Sequence, residues 1–438
     1  MKISLVSCSV FVVLCSRTVA AESPSTNSVV ISPQFIDLLA EEARTNHPAL
    51  LAANARADAA GWNAAAVRTW EDPTAKFGVM GADRAKRADD GDLIYGVEQK
   101  LPLFGKPGAA RALAQSEATT HRREAAFRAL QLRRDITAQL LKQARDERFV
   151  TLGRDDLAVL ETLAATAEDK YRNGLATQAE VLQAQNERAR RANRLRSEES
   201  LLQAERASLN RLLNRPIDSS WPPLLLPGVA SNLPPLKSLI EHATQMAPQL
   251  DVMRASLRQA ESSVAVARKQ RLPDVSVGLE GRQFADTGEF REGVVTLGLS
   301  IPWGNRGRYA AELKRESQKA DAARLDLTDM QLAMREDVTR HVILIDNARR
   351  EAELYRSEII PRSEQAATVA RANWLNNRGT LRDALDARRL LIEAQTTEAR
   401  ALAEHHSWLA ELSLHCGVDA IADFAPGTNS VAPPEGKP

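Results

Sequence analysis

The chain of 438 residues is short of aromatic side chains, which are 4% of it, and of cysteine, of which it has three. So little aromatic surface argues against a large globular enzyme core, where such side chains carry much of the buried area. Cys8 and Cys15 lie near the start, which leaves Cys416 alone downstream, with no internal disulfide there. Beyond the N-terminus no stretch approaches the ~18 uninterrupted apolar residues that an inner-membrane helix needs. An excess of one charge is also missing. Lys plus Arg number 58 and Asp plus Glu 57, with no basic block, so nucleic-acid binding has no electrostatic support. There is no Walker loop, no Gly-x-Ser-x-Gly and no His-Glu-x-x-His. The expectation is a protein that is not an enzyme and takes its energy from a partner.

What is present begins with an export signal, expected over residues 1–21. Lys2 is a thin positive start, residues 3–14 are a short apolar run, and Val19-Ala20-Ala21 offers small residues for cleavage. Leu5-Val6-Ser7-Cys8 resembles a lipoprotein signal, but so little apolar sequence precedes it that simple cleavage is preferred.

The rest carries one pattern twice. His47-Pro48-Ala49-Leu50 returns as Ala247-Pro248-Gln249-Leu250, Pro73 as Pro273, and Leu101-Pro102-Leu103 as Ile301-Pro302-Trp303, each 200 positions on. A helix is expected from Ser32 as cap with Pro33 at its first position, and a second from Pro48 to about Trp70, ended by Pro73. The apolar period then changes from 3.6 to 2. Strand pairs are expected at about 74–102 and 274–302. Ala75, Phe77, Val79 and Leu93, Tyr95, Val97 form one face of the first, and Val275, Val277, Leu279 and Val295, Leu297, Leu299 one face of the second. Trp70, Phe104 and Trp303 mark one end of the pairs and Phe284 and Phe290 the other, like the aromatic girdles of an outer-membrane barrel. Four strands cannot close a barrel, since the smallest bacterial ones have about eight.

Long helices follow each pair, in hairpins at about 107–214 and 305–414. The first helix, to Arg172, is roughly 65 residues and so about 100 Å long. Asn173-Gly174 and Asn377-Arg378-Gly379 break the two hairpins at their tips, and Pro361 should bend the second. Residues 22–214 form the first repeat and 237–416 the second. The Pro-rich segment 215–236 reads as an extended linker and 417–438 as a loosely ordered tail.

In this order, the motifs resemble the TolC-like outer membrane factor family over about residues 30–416. They are Asn46-His47-Pro48-Ala49-Leu50, Tyr171-Arg172-Asn173-Gly174-Leu175 and Leu209-Asn210-Arg211-Leu212-Leu213-Asn214-Arg215-Pro216. The resemblance implies a mainly α chain with a β-barrel contribution. Each protomer would supply four strands to a homotrimeric twelve-stranded barrel in the outer membrane, continued by an α-helical tunnel through the periplasm. It implies a periplasmic adaptor, an inner-membrane pump of the resistance-nodulation-division type and outer-membrane lipid as partners. The function implied is passive conduction in a tripartite efflux system. Two turns, Leu103-Phe104-Gly105-Lys106-Pro107-Gly108-Ala109-Ala110-Arg111 and Pro302-Trp303-Gly304-Asn305-Arg306-Gly307-Arg308, are similar to those of the heavy-metal cation branch. Drug-exporting channels and type I secretion channels share the fold, and a periplasmic coiled-coil scaffold without a pore is a further alternative.

The resemblance also marks residues. Asp383 and Asp386 would line the tunnel's closed end, six carboxylates in three chains, as a ring that favours cations. Taken alone they read as an ordinary solvated helix start, where acidic residues suit the dipole. Glu180 matches the acidic position of the first tip, with Arg378 and Arg382 as candidate partners in tethering the gate. Lys76, Glu98, Lys100, Glu280 and Arg282 should face the barrel lumen and tune conductance. His405-His406 point about 100° apart on a helix, and His415-Cys416 lacks metal-finger spacing. No bound metal or cofactor is expected.

Overall fold

A computed structural model describes residues 28–67, 70–80, 92–229, 233–284 and 287–419. The expected signal peptide, residues 83–91 of the first strand loop and residues 420–438 lie outside them.

The chain opens with a short strand, β1 (Val29–Val30), and helix α1 (Pro33–Asn46), where Ser32 Oγ accepts the Phe35 N–H at 3.3 Å. Helix α2 (Pro48–Ala66) ends before Pro73 is reached. Val67 already has extended backbone, with ψ 103°, so Pro73 lies on the approach to the strand instead of stopping the helix.

Four strands follow from the period-2 segments: β2 (Thr74–Val79), β3 (Asp92–Leu101), and later β5 (Val275–Phe284) and β6 (Phe290–Leu299). They form one antiparallel sheet in the order β2-β3-β5-β6. The central seam joins the two repeats, running unbroken from Asp92 opposite Phe284 to Leu101 opposite Val275. β2 and β6 are left as edges.

Helix α3 (Lys106–Arg172) has 67 residues and α4 (Gln178–Leu212) returns beside it. The turn into α3 places Phe104 at φ 62° and Gly105 at φ 70°, a left-handed pair that reverses the chain within two residues. Between the repeats lies β4 (Leu224–Leu225), and the second repeat opens with α5 (Leu236–Met246) and α6 (Pro248–Gln270). After its strands the second repeat runs as α7 (Arg306–Leu354), a π-helical turn at Tyr355–Ile359, α8 (Ile360–Leu375) and α9 (Leu381–Cys416). Pro361, in the first turn of α8, cannot donate a backbone hydrogen bond, and the wider turn just before it accommodates that loss.

The segment between the repeats is docked, where a merely extended linker was expected. β4 pairs in parallel with β1, and the Leu224 N–H donates to Glu147 on α3 at 2.5 Å. Asn210 holds the preceding turn, donating to the carbonyls of Ile217 and Ser219 and accepting from Trp221 Nε1 at 2.7 Å. Arg215 grips Glu42 through two 2.6 Å hydrogen bonds and covers the Trp221 ring. A buried cluster of Leu39, Ile136, Leu140, Leu209 and Leu224 lies beneath this strap.

Candidate functional site

The antiparallel register sorts the sheet into two faces, because successive side chains alternate. One face carries Lys76, Gly96, Glu98, Lys100, Ser276, Gly278, Glu280, Arg282, Glu292 and Thr296. All five residues expected to line a lumen are on it. Lys76 lies 2.5 Å from Glu98 and 3.8 Å from Glu280. Lys100 pairs with Glu71 at 2.8 Å, and Arg282 with Glu292 at 2.9 Å. The other face carries Phe77, Val79, Leu93, Tyr95, Val97, Leu279, Val295 and Leu297. Phe77 is 85% exposed and Leu297 75%, which is unusual for such side chains in a contiguous patch. Trp70, Phe104 and Trp303 are also exposed, at the helix side of the sheet.

At the opposite end are the hairpin tips. Thr177 and Thr380 are N-caps, and each makes a capping box, with Glu180 and Asp383 respectively. Thr380 Oγ1 donates to Asp383 at 2.7 Å and its N–H does so at 3.3 Å; these bonds hold the Asp383 carboxyl below its ordinary pKa. Glu180 is engaged in the same way, accepting the Thr177 N–H at 2.9 Å. Asp386, one turn on from Asp383, pairs with Arg389 at 3.0 Å and lies 3.7 Å from Arg382.

Bonds between the two hairpins fall on residues that the sequence did not single out. Arg389 on α9 pairs with Glu187 on α4 at 2.5 Å, and Arg388 with Asp156 on α3 at 2.8 Å. Lys170 donates to the Trp374 carbonyl at 2.6 Å and to Asn377 Oδ1 at 2.7 Å, which caps the end of α8. Beneath them Leu160, Leu163, Val181, Trp374, Leu381 and Leu385 form one buried cluster. Arg and Glu are frequent along these helices, so nothing in their spacing distinguishes the bonded ones.

Arg191 is a further residue missed. It is 8% exposed, bonded to Glu198 at 2.9 Å, and lies 3.6 Å from Asp156. It fits because Gly153 has no side chain: a Cβ there would lie 1.9 Å from its Nη2. The histidines make local contacts. His405 bonds to the Ile345 carbonyl and His406 to that of Gly228, while His341 stacks between Trp408 and His415. Cys416 is buried, and burial pushes its thiol up to about 12. Among the described residues no group of three or more His, Cys, Asp or Glu is placed to hold a metal ion, and no helix is long and apolar enough to cross a membrane.

A two-faced sheet joined to paired helical hairpins, the long arm of the first about 100 Å, is an architecture seen in solved outer-membrane channels. Residues 239–418 match the family described as outer membrane efflux protein. VceC of Vibrio cholerae, an outer membrane protein, has the same fold, with a TM-score of 0.75 at 20% identity over 88% of this chain and 96% of that one. CusC superposes with a TM-score of 0.75 at 14% identity, over 87% and 92%. The second repeat thus matches the outer membrane efflux protein family, and the whole described chain has the fold of VceC and CusC. Two curated relatives match more locally. The cobalt-zinc-cadmium resistance protein CzcC of Cupriavidus metallidurans is 27% identical over 165 residues, 37% of this chain and 38% of that protein. The pyoverdine export outer membrane protein OpmQ of Pseudomonas putida is 25% identical over 251 residues, 55% and 52%. The matched stretches thus span about half or less of these relatives.

Proposed function

We propose that three copies of this chain close one twelve-stranded barrel and form the passive exit duct of a tripartite efflux system. The observation that carries this is the open sheet, with its sorted faces and its two edges, β2 and β6. In lipid every backbone polar group needs a partner, so edges must be closed, and copies of the same sheet can close them. The charged face then lines the lumen and the apolar face meets lipid. A periplasmic adaptor docks the hairpins, and an inner-membrane pump of the resistance-nodulation-division type supplies the energy.

Heavy-metal cations are the cargo this reading favours, on the strength of the CzcC likeness and the two strand-to-helix turns. Deleting the chain from its host should raise sensitivity to cobalt, zinc or cadmium. Unchanged metal tolerance with impaired siderophore export would favour a role like that of OpmQ, whose match is the longer of the two. The purified trimer should conduct ions across a planar bilayer; a protein recovered only from the soluble periplasm would favour the pore-free scaffold.

The tips are the gate. Asp383 and Asp386 of three copies form the cation-favouring ring; within one copy Asp383 accepts from Thr380 and Asp386 pairs with Arg389. Asp383→Asn with Asp386→Asn should raise conductance and weaken block by multivalent cations; unchanged block would remove the ring. Glu180, Arg378 and Arg382 remain proposed tether residues, and Arg389–Glu187, Arg388–Asp156 and Lys170 join them as bonds between the hairpins. The half-exposed Arg389–Glu187 pair contributes only about 0–1 kcal/mol, so replacing Arg388, Arg389 and Lys170 together by Ala should open the gate where Arg389→Ala alone barely does. Equal conductance in triple variant and wild type would end the latch.

A further inference from the structure

We infer that Lys76 is the built-in counter-ion of the barrel wall, neutralising Glu98 and Glu280 so that a cationic cargo does not lodge there. The inference rests on the export-duct reading above. Lys76, Gly96 and Glu280 lie side by side across β2, β3 and β5, and Glu98 is two residues along β3 on the same face. The Lys76 ammonium reaches both carboxylates, at 2.5 Å and 3.8 Å.

Gly96 makes this reach possible. A Cβ there would lie 2.7 Å from the Leu279 carbonyl oxygen and 2.8 Å from Glu280 Cγ. Without a side chain at 96, Lys76 and Glu280 lie flat over β3 and meet along the wall. Gly278, directly opposite Glu98 on the other side, has Thr296 Oγ1 where its Cβ would be, at 2.3 Å. The charged side chains therefore run along the sheet above a floor of small residues and leave the bore open.

Two other cations of this face, among the described residues, are committed elsewhere: Lys100 to Glu71 and Arg282 to Glu292. Lys76 is the cation shared by two carboxylates. If it were lost, three copies would present six carboxylates without this ion-pair partner around one lumen. Conduction requires sites weak enough to release the ion. A wall that bound divalent cations would slow the cargo this duct is proposed to carry.

The test uses the full-length trimer in detergent, titrated with Cd²⁺ by calorimetry, and the same protein in bilayers. Lys76→Met should gain a Cd²⁺ site absent from wild type and shift the reversal potential toward cation selectivity. Divalent block should appear at several-fold lower concentration. Lys76→Arg should behave as wild type, and Lys76→Met combined with Glu280→Gln should lose the gained site. Retained trimer migration on gels shows that the variants fold. Equal Cd²⁺ binding by Lys76→Met and wild type overturns the inference. A gained site in a protein that conducts nothing would overturn the duct reading and leave the counter-ion role standing.

Discussion

The two repeats agree at both ends and differ between them. Through the strands the second copy follows the first by 200 residues, as Pro73 and Pro273 and Pro102 and Pro302 show. At the tips the spacing is 203. Asn173 and Asn376 end their helices with the same geometry, Gly174 and Asn377 take the same left-handed position, and Thr177 and Thr380 make the same capping box. The hydrogen bonds repeat too, Leu175 N to Lys170 O in one copy and Arg378 N to Asn373 O in the other, both at 2.8 Å. The spacing of 203 persists to the left-handed residues after the return helices, Asn214 and Gly417. The second repeat therefore holds three extra residues between strand and tip. The first repeat crosses that span in the single helix α3, and the second interrupts it with the π-turn at Tyr355–Ile359. Inserted residues change the winding of packed helices, and a π-turn is one way to take up part of the excess. The tips share a backbone and differ in side chains.

The comparison can be broken most severely at the strands. Val97 and Leu297 occupy equivalent positions on the apolar face. Arg at either should cost about 2–4 kcal/mol near mid-membrane and abolish outer-membrane insertion to the same degree. Fractionation of Val97→Arg and Leu297→Arg measures this, and a large difference between them would break the equivalence.

Next in size is a feature of the first repeat alone. Gly153→Ala should stabilise α3 by about 1 kcal/mol on helix propensity. Because the new Cβ displaces buried Arg191 from Asp156 and Glu198, a net loss of about 1–3 kcal/mol is expected instead. Thermal unfolding decides the sign. The position equivalent to Arg191 in the second repeat is Ala394, which is buried and needs no such space.

The second repeat has its own sensitivity, to acid. His341, His405, His406 and His415 all have lowered pKa values, chiefly through burial, His406 to about 4. At the spacing of 203 that holds beyond the tips, the equivalents of His405, His406 and His415 are Leu202, Gln203 and Leu212, which do not titrate. A lowered histidine favours the fold in its neutral form. That stability is complete above the unfolded value near 6.5 and is lost as pH falls toward 4. Hydrogen exchange between pH 7 and 4 should deprotect the end of α9 before the end of α4. The smallest effect is expected at the caps. Thr177→Ala and Thr380→Ala should each cost about 1 kcal/mol, with equal local loss of exchange protection at the two tips.

Much of this was legible in residues. Ser32 with Pro33, the alternation from Val275 to Leu279 and the break at Asn173-Gly174 each act within a few positions, and the structure follows them. The stop at Pro73 was misplaced because α2 already ends at Val67, which no proline dictates. The docking of residues 215–225 was also missed. A Pro-rich composition says what the segment cannot form; it does not say that Trp221 will find Asn210 or that Glu147 will accept the Leu224 N–H.

The candidate site divides in the same way. Alternation alone put Lys76, Glu98, Lys100, Glu280 and Arg282 on one face, because the pleat has a strict period of two. Only the assembled sheet decided that β3 pairs with β5 across the repeats, and hence that Lys76 meets Glu280 over Gly96. At the tips, Thr-x-x-Glu and Thr-x-x-Asp mark the capping boxes by local spacing. The bonds that join the hairpins, Arg389 to Glu187 and Arg388 to Asp156, link residues more than two hundred positions apart. Short-range order follows from backbone geometry, which the sequence carries residue by residue. Which of many arginines meets which carboxylate depends on how long helices come to lie together, and that is settled only by tertiary packing.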